Sequence, residues 1–140
     1  MTDFTDPNQY QPRILLVDDQ KAILDSLFFL FESEGYEVLA ASNAPDGLAI
    51  FRKSFRPIEL LITDCDMPRM SGLDLARECR QLCPELRVLY VSGACPNEDL
   101  QKELQAPNRR FLAKPFRSQA ILGTARELLP EWAGQFSPRH

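Results

Sequence analysis

Apolar residues fall along this chain in two alternating kinds of run. Some blocks carry no polar face: Ile14-Leu15-Leu16-Val17, the stretch from Ile58 to Thr63, and Arg87-Val88-Leu89-Tyr90-Val91. A short block that is apolar on both faces fits a strand buried between two layers of helices. Tyr36 to Ala40 reads as a further strand. Phe111-Leu112-Ala113 reads as a fifth, preceded by Arg109-Arg110, charges that suit an exposed sheet edge.

Between these blocks the apolar positions take a helical period. From Gln20 to Glu34 they are Ile23, Leu24, Leu27, Phe28, Leu30 and Phe31, and Gly35 stands where a left-handed C-cap would end the helix. A second helix spans Asn43 to Phe55, with Leu48, Ile50 and Phe51 inward and Pro57 as its stop. A third spans Ser71 to Leu82, with Leu73, Leu75, Ala76, Cys79 and Leu82 as apolar positions. The weakest runs from Asn97 to Gln105, anchored only by Leu100 and Leu104 and fenced by Pro96 and Pro107; it is expected to be mobile. The last covers Ser118 to Leu129, although Gly123 weakens it by about 1 kcal/mol relative to Ala.

Five strands alternating with five helices predict an α/β, doubly wound (βα)5 domain with a parallel sheet covered on both faces. Residues 1–12 read as a flexible lead-in, 13–129 as the domain, and 130–140 as a tail whose Trp132 and Phe136 pack simply or stay disordered.

Composition narrows the partners. A chain of 140 residues, 44% hydrophobic, holds one domain with a real core. Its net charge of −4 argues against nucleic acid, which requires a basic face. The acidic, polar N-terminus lacks the basic start and apolar core of a signal peptide, and no run reaches membrane-spanning length. A soluble, cytoplasmic protein with no membrane partner is the expectation. Cys65, Cys79, Cys83 and Cys95 form no CxxC pair and His140 is the single histidine, so buried or half-buried free thiols are expected.

In parallel sheets ligands bind outside the carboxyl ends of the strands, so the polar residues there form the candidate site. The first strand ends in Asp18-Asp19, the third in Asp64, the fourth in Ser92 before Gly93-Ala94, and the fifth leads into Lys114. Each has an ordinary structural use as a cap, turn or surface charge, but all five fall on one rim. Carboxylates crowded together raise one another's pKa unless a cation supplies the opposing field. Hard oxygen ligands without His or Cys suit Mg²⁺, which commonly shares carboxylates with a phosphate. With Mg²⁺ and Lys114 neutralising an incoming phosphoryl group, an Asp carboxylate could act as nucleophile and form an acyl phosphate. The chain has no Walker-type glycine loop, which argues against ATP as donor.

Four motifs carry a family resemblance: Leu15-Leu16-Val17-Asp18-Asp19, the run Asp64-Cys65-Asp66-Met67-Pro68-Arg69-Met70-Ser71-Gly72, Val91-Ser92-Gly93-Ala94, and Phe111-Leu112-Ala113-Lys114-Pro115-Phe116. From about Arg13 to Leu129 the chain resembles the receiver domains of two-component response regulators. The resemblance implies a flavodoxin-like five-stranded sheet in the order 2-1-3-4-5 and a cis Lys114-Pro115 bond. It implies that Asp64 is the phosphoacceptor for a histidine kinase or phosphotransfer protein. Asp18, Asp19, Asp64 and the backbone carbonyl of Asp66 would hold Mg²⁺, with Ser92 and Lys114 contacting the phosphoryl group. As a phosphoacceptor signalling domain it would assist its own phosphorylation and dephosphorylation and have no other enzyme activity.

Two positions depart from the family pattern. Phe111 stands where the switch residue is often Tyr, so only rotation of its ring could report phosphorylation, and Arg110 stands where many members carry Gly. Switching is expected through Ser92, Phe111 and the weak fourth helix. Nothing after Leu129 reads as a DNA-binding output, so the signal is expected to pass by contact with another protein. The sequence sets no oligomeric state. Two other readings exist. Asp64-Cys65-Asp66 also matches the DxD of haloacid-dehalogenase-type phosphatases, but there the motif lies on the first strand. A phosphorylation-independent pseudo-receiver would keep the fold and lose the chemistry, against which the complete set of Asp18, Asp19, Asp64, Ser92 and Lys114 argues.

Overall fold

A computed structural model of the protein describes residues 11–130. The expected lead-in and tail, including Trp132 and Phe136, lie outside the described residues apart from Gln11, Pro12 and Pro130. The elements follow in strict alternation: β1 (Arg13–Val17), α1 (Lys21–Ser33), β2 (Glu37–Ala41), α2 (Ala44–Lys53), β3 (Leu60–Asp64), α3 (Gly72–Leu82), β4 (Arg87–Ser92), α4 (Glu98–Glu103), β5 (Arg109–Ala113) and α5 (Ser118–Leu128). All pairings are parallel, in the order β2-β1-β3-β4-β5.

The doubly apolar strands are explained by two cores, one on each face of the sheet. Ile14, Leu16, Leu60, Ile62, Leu89 and Val91 meet α1 and α5 through Leu24, Leu27, Phe31, Ile121, Ala125 and Leu128. The intervening strand residues Leu15, Val17, Leu61, Val88 and Tyr90 face Ala44, Leu48, Leu75, Ala76, Cys79 and Leu100 of α2, α3 and α4. Each fully buried Leu or Ile contributes roughly 1.5–3 kcal/mol. Because consecutive strand residues serve opposite cores, the middle positions of β1, β3 and β4 are apolar but for buried Thr63 and the Tyr90 hydroxyl.

Caps set the helix starts. Asn43 accepts the Asp46 N–H at 2.8 Å, and Ser71 accepts the Asp74 N–H at 3.1 Å. Gly35 has φ 97°, as the C-cap reading requires. The Lys114-Pro115 bond is cis.

Four details differ from expectation. Leu82, the last residue of α3, is 56% exposed, and the buried side of that helix is Leu75, Ala76 and Cys79. Cys95 is exposed, in the loop before α4; Cys79 is buried and Cys65 and Cys83 are half-buried, as expected of free thiols. Arg109 is not an exposed edge charge but belongs to β5 and is largely buried, since it pairs with Glu103. The α4 helix is shorter than expected, six residues, yet it is tied down through that same Glu103.

The opposite end of the sheet is fastened by Arg13, only 4% exposed. Its guanidinium donates to Glu37 Oε2 at 2.9 Å and Ser54 Oγ at 2.7 Å, and lies over the Phe55 ring, 4.7 Å from the centroid. Arg56 donates to the Gln11 carbonyl at 2.6 Å, strapping the chain as it enters β1.

Candidate functional site

The site lies where the strands end. Asp18 follows β1 and is 2% exposed; its backbone N–H donates to the Ala41 carbonyl at 3.2 Å. Its Oδ1 accepts the Gln20 N–H at 2.8 Å, which orients the carboxylate toward the rim. Asp64 closes β3 and is 5% exposed, while Asp19 is exposed. Carboxylate oxygens of Asp18, Asp19 and Asp64 all lie within 4.8 Å of one another.

The loop after Asp64 folds back sharply. The Cys65 N–H donates to the Val91 carbonyl at 2.9 Å, and the Gly72 N–H returns to the Cys65 carbonyl at 3.2 Å. Met67 is buried and anchors the loop, and Arg69 takes a left-handed φ of 71°. Gly72 is required by close approach: a Cβ there would lie 2.2 Å from the Asp64 carbonyl oxygen and 3.0 Å from Thr63 Oγ1.

Lys114 is delivered by β5. Its N–H donates to the Ser92 carbonyl at 2.8 Å, extending the β4–β5 ladder by one residue. The ammonium then reaches Asp18 Oδ2 at 2.9 Å, Asp64 Oδ1 at 3.4 Å and Gln20 Oε1 at 3.3 Å. Burial works against its charge, but the bonds and fields of Asp18 and Asp64 outweigh it and raise its pKa. The Asp64 carboxyl is held above the ordinary carboxylate range, first by burial and then by Asp18, with Lys114 opposing. Burial and then the Asp66 and Asp64 carboxylates push the Cys65 thiol up to about 12, so it is no nucleophile at neutral pH.

Ser92 ends β4, and its hydroxyl donates to Asp66 Oδ2 at 2.8 Å while accepting the Ala94 N–H at 3.0 Å. All five rim residues expected from sequence therefore converge, and Asp66 joins them by a side-chain contact that sequence reasoning did not foresee. Phe111 stands apart, half-buried against the α2, α3 and α4 side of the sheet. A cleft of about 810 Å³ opens from Asp19, Asp64, Asp66 and Lys114 and continues along Ile23, Leu27 and Phe116.

Sequence reasoning also missed the polar cluster of Arg80, Tyr90, Glu103 and Arg109 below this rim. Tyr90 inside an apolar strand was the one available signal, since a buried phenol needs a partner.

The donor set suits a hard divalent cation: three carboxylates brought together, with neither His nor Cys among the ligands. Their mutual repulsion, only partly relieved by one ammonium, is what such a cation would relieve.

Comparison with known proteins gives a consistent result. Residues 14–126 match the family model of the response regulator receiver domain. The chain is 34% identical over 116 residues to the response regulator protein TodT of Pseudomonas putida, covering 83% of this chain and 50% of that protein. It is 30% identical over 118 residues to the response regulator receiver protein CpdR of Brucella abortus, covering 84% of this chain and 96% of that protein. A crystal structure of a CheY-like receiver domain protein from Methanospirillum hungatei superposes with a TM-score of 0.80 at 33% identity, over 91% of this chain and all of that one. The chain spans about half the length of the first curated relatives it matches, 49% and 50%. Among the described residues no helix is long and apolar enough to cross a membrane.

Proposed function

Since the chain belongs to the response regulator receiver family of two-component signalling, we propose that Asp64 is its phosphoacceptor. The donor is a phosphohistidine on a histidine kinase or phosphotransfer protein. An Asp64 carboxylate oxygen attacks phosphorus, the P–N bond to the donor imidazole breaks, and the imidazole leaves with the electron pair and takes up a proton. Asp64 then carries an acyl phosphate. The observation that carries this reading is the convergence of Asp18, Asp19 and Asp64 within 4.8 Å, with Lys114 bridging Asp18 and Asp64.

Each neighbour has a role in that step. Asp18, Asp19, Asp64 and the backbone carbonyl of Asp66 would hold Mg²⁺, which when bound supplies positive charge to the transferring phosphoryl oxygens. Lys114 Nζ, already 3.4 Å from Asp64 Oδ1, pairs with the phosphoryl oxygens and keeps its proton throughout. Ser92 turns its hydroxyl from Asp66 to the phosphoryl group. Phe111, which has no hydroxyl to latch with, reports the change by rotating its ring. The domain spans residues 13–129, works in the cytoplasm, and passes its signal through contact with a downstream protein.

The test is labelling with acetyl phosphate and Mg²⁺, read by intact-mass spectrometry and by acyl-phosphate lability to hydroxylamine. The wild-type chain gains one phosphoryl group, and a folded Asp64→Asn variant gains none. Equal labelling of both would assign the phosphoacceptor elsewhere.

A further inference from the structure

Below the phosphoacceptor rim, one carboxylate joins four elements. Glu103, the last residue of α4, accepts on the same oxygen from Arg80 Nη1 of α3 at 2.5 Å, Tyr90 OH of β4 at 2.8 Å and Arg109 Nε of β5 at 3.1 Å. The side chains are sequestered, with 12% of Arg80, 14% of Arg109 and 14% of Glu103 exposed. Arg80 Nε and Nη2 are buried without a hydrogen-bond partner among the described residues, so Glu103 is what holds that guanidinium. The three donors outweigh burial and lower the Glu103 pKa, which keeps the carboxylate charged.

A six-residue helix does not hold its position by propensity. On its core side α4 offers buried Leu100, followed by half-buried Leu104 at its C-cap, so the Glu103 cluster is its main polar fastening. The strand residues that cluster grips are placed tellingly. Tyr90 lies two residues before Ser92 on β4, and Arg109 two residues before Phe111 on β5; Tyr90 and Phe111 are register partners. The non-helical stretch Gly93–Asn97, exposed except for half-buried Pro96, runs from Ser92 directly into α4. The single hydroxyl proton of Ser92 is committed to Asp66, so it must leave that bond to donate to a phosphoryl group on Asp64, while Oγ also accepts the Ala94 N–H of the loop leading to α4.

We propose that Glu103 is a positioning residue: by locking α4 onto α3, β4 and β5 it holds the Ser92 segment in its resting arrangement and so limits phosphoryl engagement at Asp64. This inference rests on the phosphoacceptor reading above. The lock and the phosphoryl group favour different arrangements, so each weakens the other by the same factor. Weakening the lock therefore tightens binding of a phosphoryl mimic without touching a residue that contacts it.

Calorimetric titration of the full chain with fluoroberyllate in Mg²⁺ tests this, alongside hydrogen exchange across residues 97–106. Glu103→Gln removes the charge. Tyr90→Phe removes one donor, leaves both ion pairs, and serves where the first variant folds poorly. Fluoroberyllate is expected to bind about tenfold tighter to Glu103→Gln and about threefold tighter to Tyr90→Phe, on the scale of lost charged and neutral hydrogen bonds. The free variants should exchange residues 97–106 as fast as fluoroberyllate-bound wild type. Faster exchange with unchanged or weaker binding would reduce Glu103 to a structural tie and overturn the proposal. Unchanged exchange in both variants would overturn the lock itself. Absence of binding to wild type, or equal binding to Asp64→Asn, would overturn the phosphoacceptor reading and this inference with it.

Discussion

Replacing Asp64 by Asn is expected to stabilise the magnesium-free protein. Oxygens of Asp18, Asp19 and Asp64 lie within 4.8 Å of one another. Two like charges at that spacing repel by about 3.5 kcal/mol at an effective dielectric of about 20. Lys114 Nζ stands 3.4 Å from Asp64 Oδ1, an attraction of about 5 kcal/mol on the same basis. Two repulsions against one attraction leave ionised Asp64 worse off by about 2 kcal/mol, and solvent around exposed Asp19 trims this to about 1–2 kcal/mol. Burial of the carboxylate acts in the same direction.

Asn keeps the shape and loses the charge. In urea with a chelator present, its unfolding midpoint should rise at unchanged slope, and its melting temperature should rise by roughly 3–8 °C. Saturating Mg²⁺ should close the gap, since a cation held at the native wild-type cluster would stabilise it by mass action. The sign with pH follows from the raised folded pKa of Asp64. Its contribution to stability is present below the ordinary value of 3.8 and is lost as pH rises through the folded value, so the two proteins converge at low pH. A variant equal to or weaker than wild type in chelator at neutral pH would refute the account of the site as a repulsive cluster awaiting a cation.

Two further outcomes follow from the geometry. Gly72→Ala should cost about 3 kcal/mol or more in urea unfolding, above most overpacking substitutions, because its Cβ would fall 2.2 Å from a backbone oxygen that cannot swing away. Glu103, whose folded pKa is depressed, should contribute stability that is present above about 4.5 and lost as pH falls through the folded value. Urea midpoints from pH 6 downward should therefore fall more steeply for wild type than for Glu103→Gln, and parallel curves would remove Glu103 from that role.

Much of this molecule was legible because its signals are local. Strands such as Leu60-Leu61-Ile62 announce burial on both faces, and the residues that end them, Asp18, Asp64 and Ser92, needed only the topology of a parallel sheet to be brought together. Contacts between residues distant in sequence were not legible. Glu103 on a short, charged helix reads as a solvated acid, and only the fold shows it buried among Arg80, Tyr90 and Arg109. The same holds for Arg109, read as an edge charge, and for Leu82, whose helical spacing says inward although it is exposed as the last residue of α3. Asp66 was half legible: the family resemblance points to its backbone carbonyl, but the bond from Ser92 to its side chain depends on where β4 ends.

Arg13 bears on where this domain could be cut and grafted. A cut at Ile14 would preserve every apolar residue of β1, yet it would discard the guanidinium that joins Glu37, Ser54 and Phe55, together with the Gln11 carbonyl clasped by Arg56. A transplanted domain should therefore keep Gln11 and Pro12 ahead of its first strand. Since that hem and Asp64 occupy opposite ends of the same parallel sheet, a chimera trimmed too closely would come loose at the end remote from the carboxylate cluster and fail for reasons invisible at Asp64.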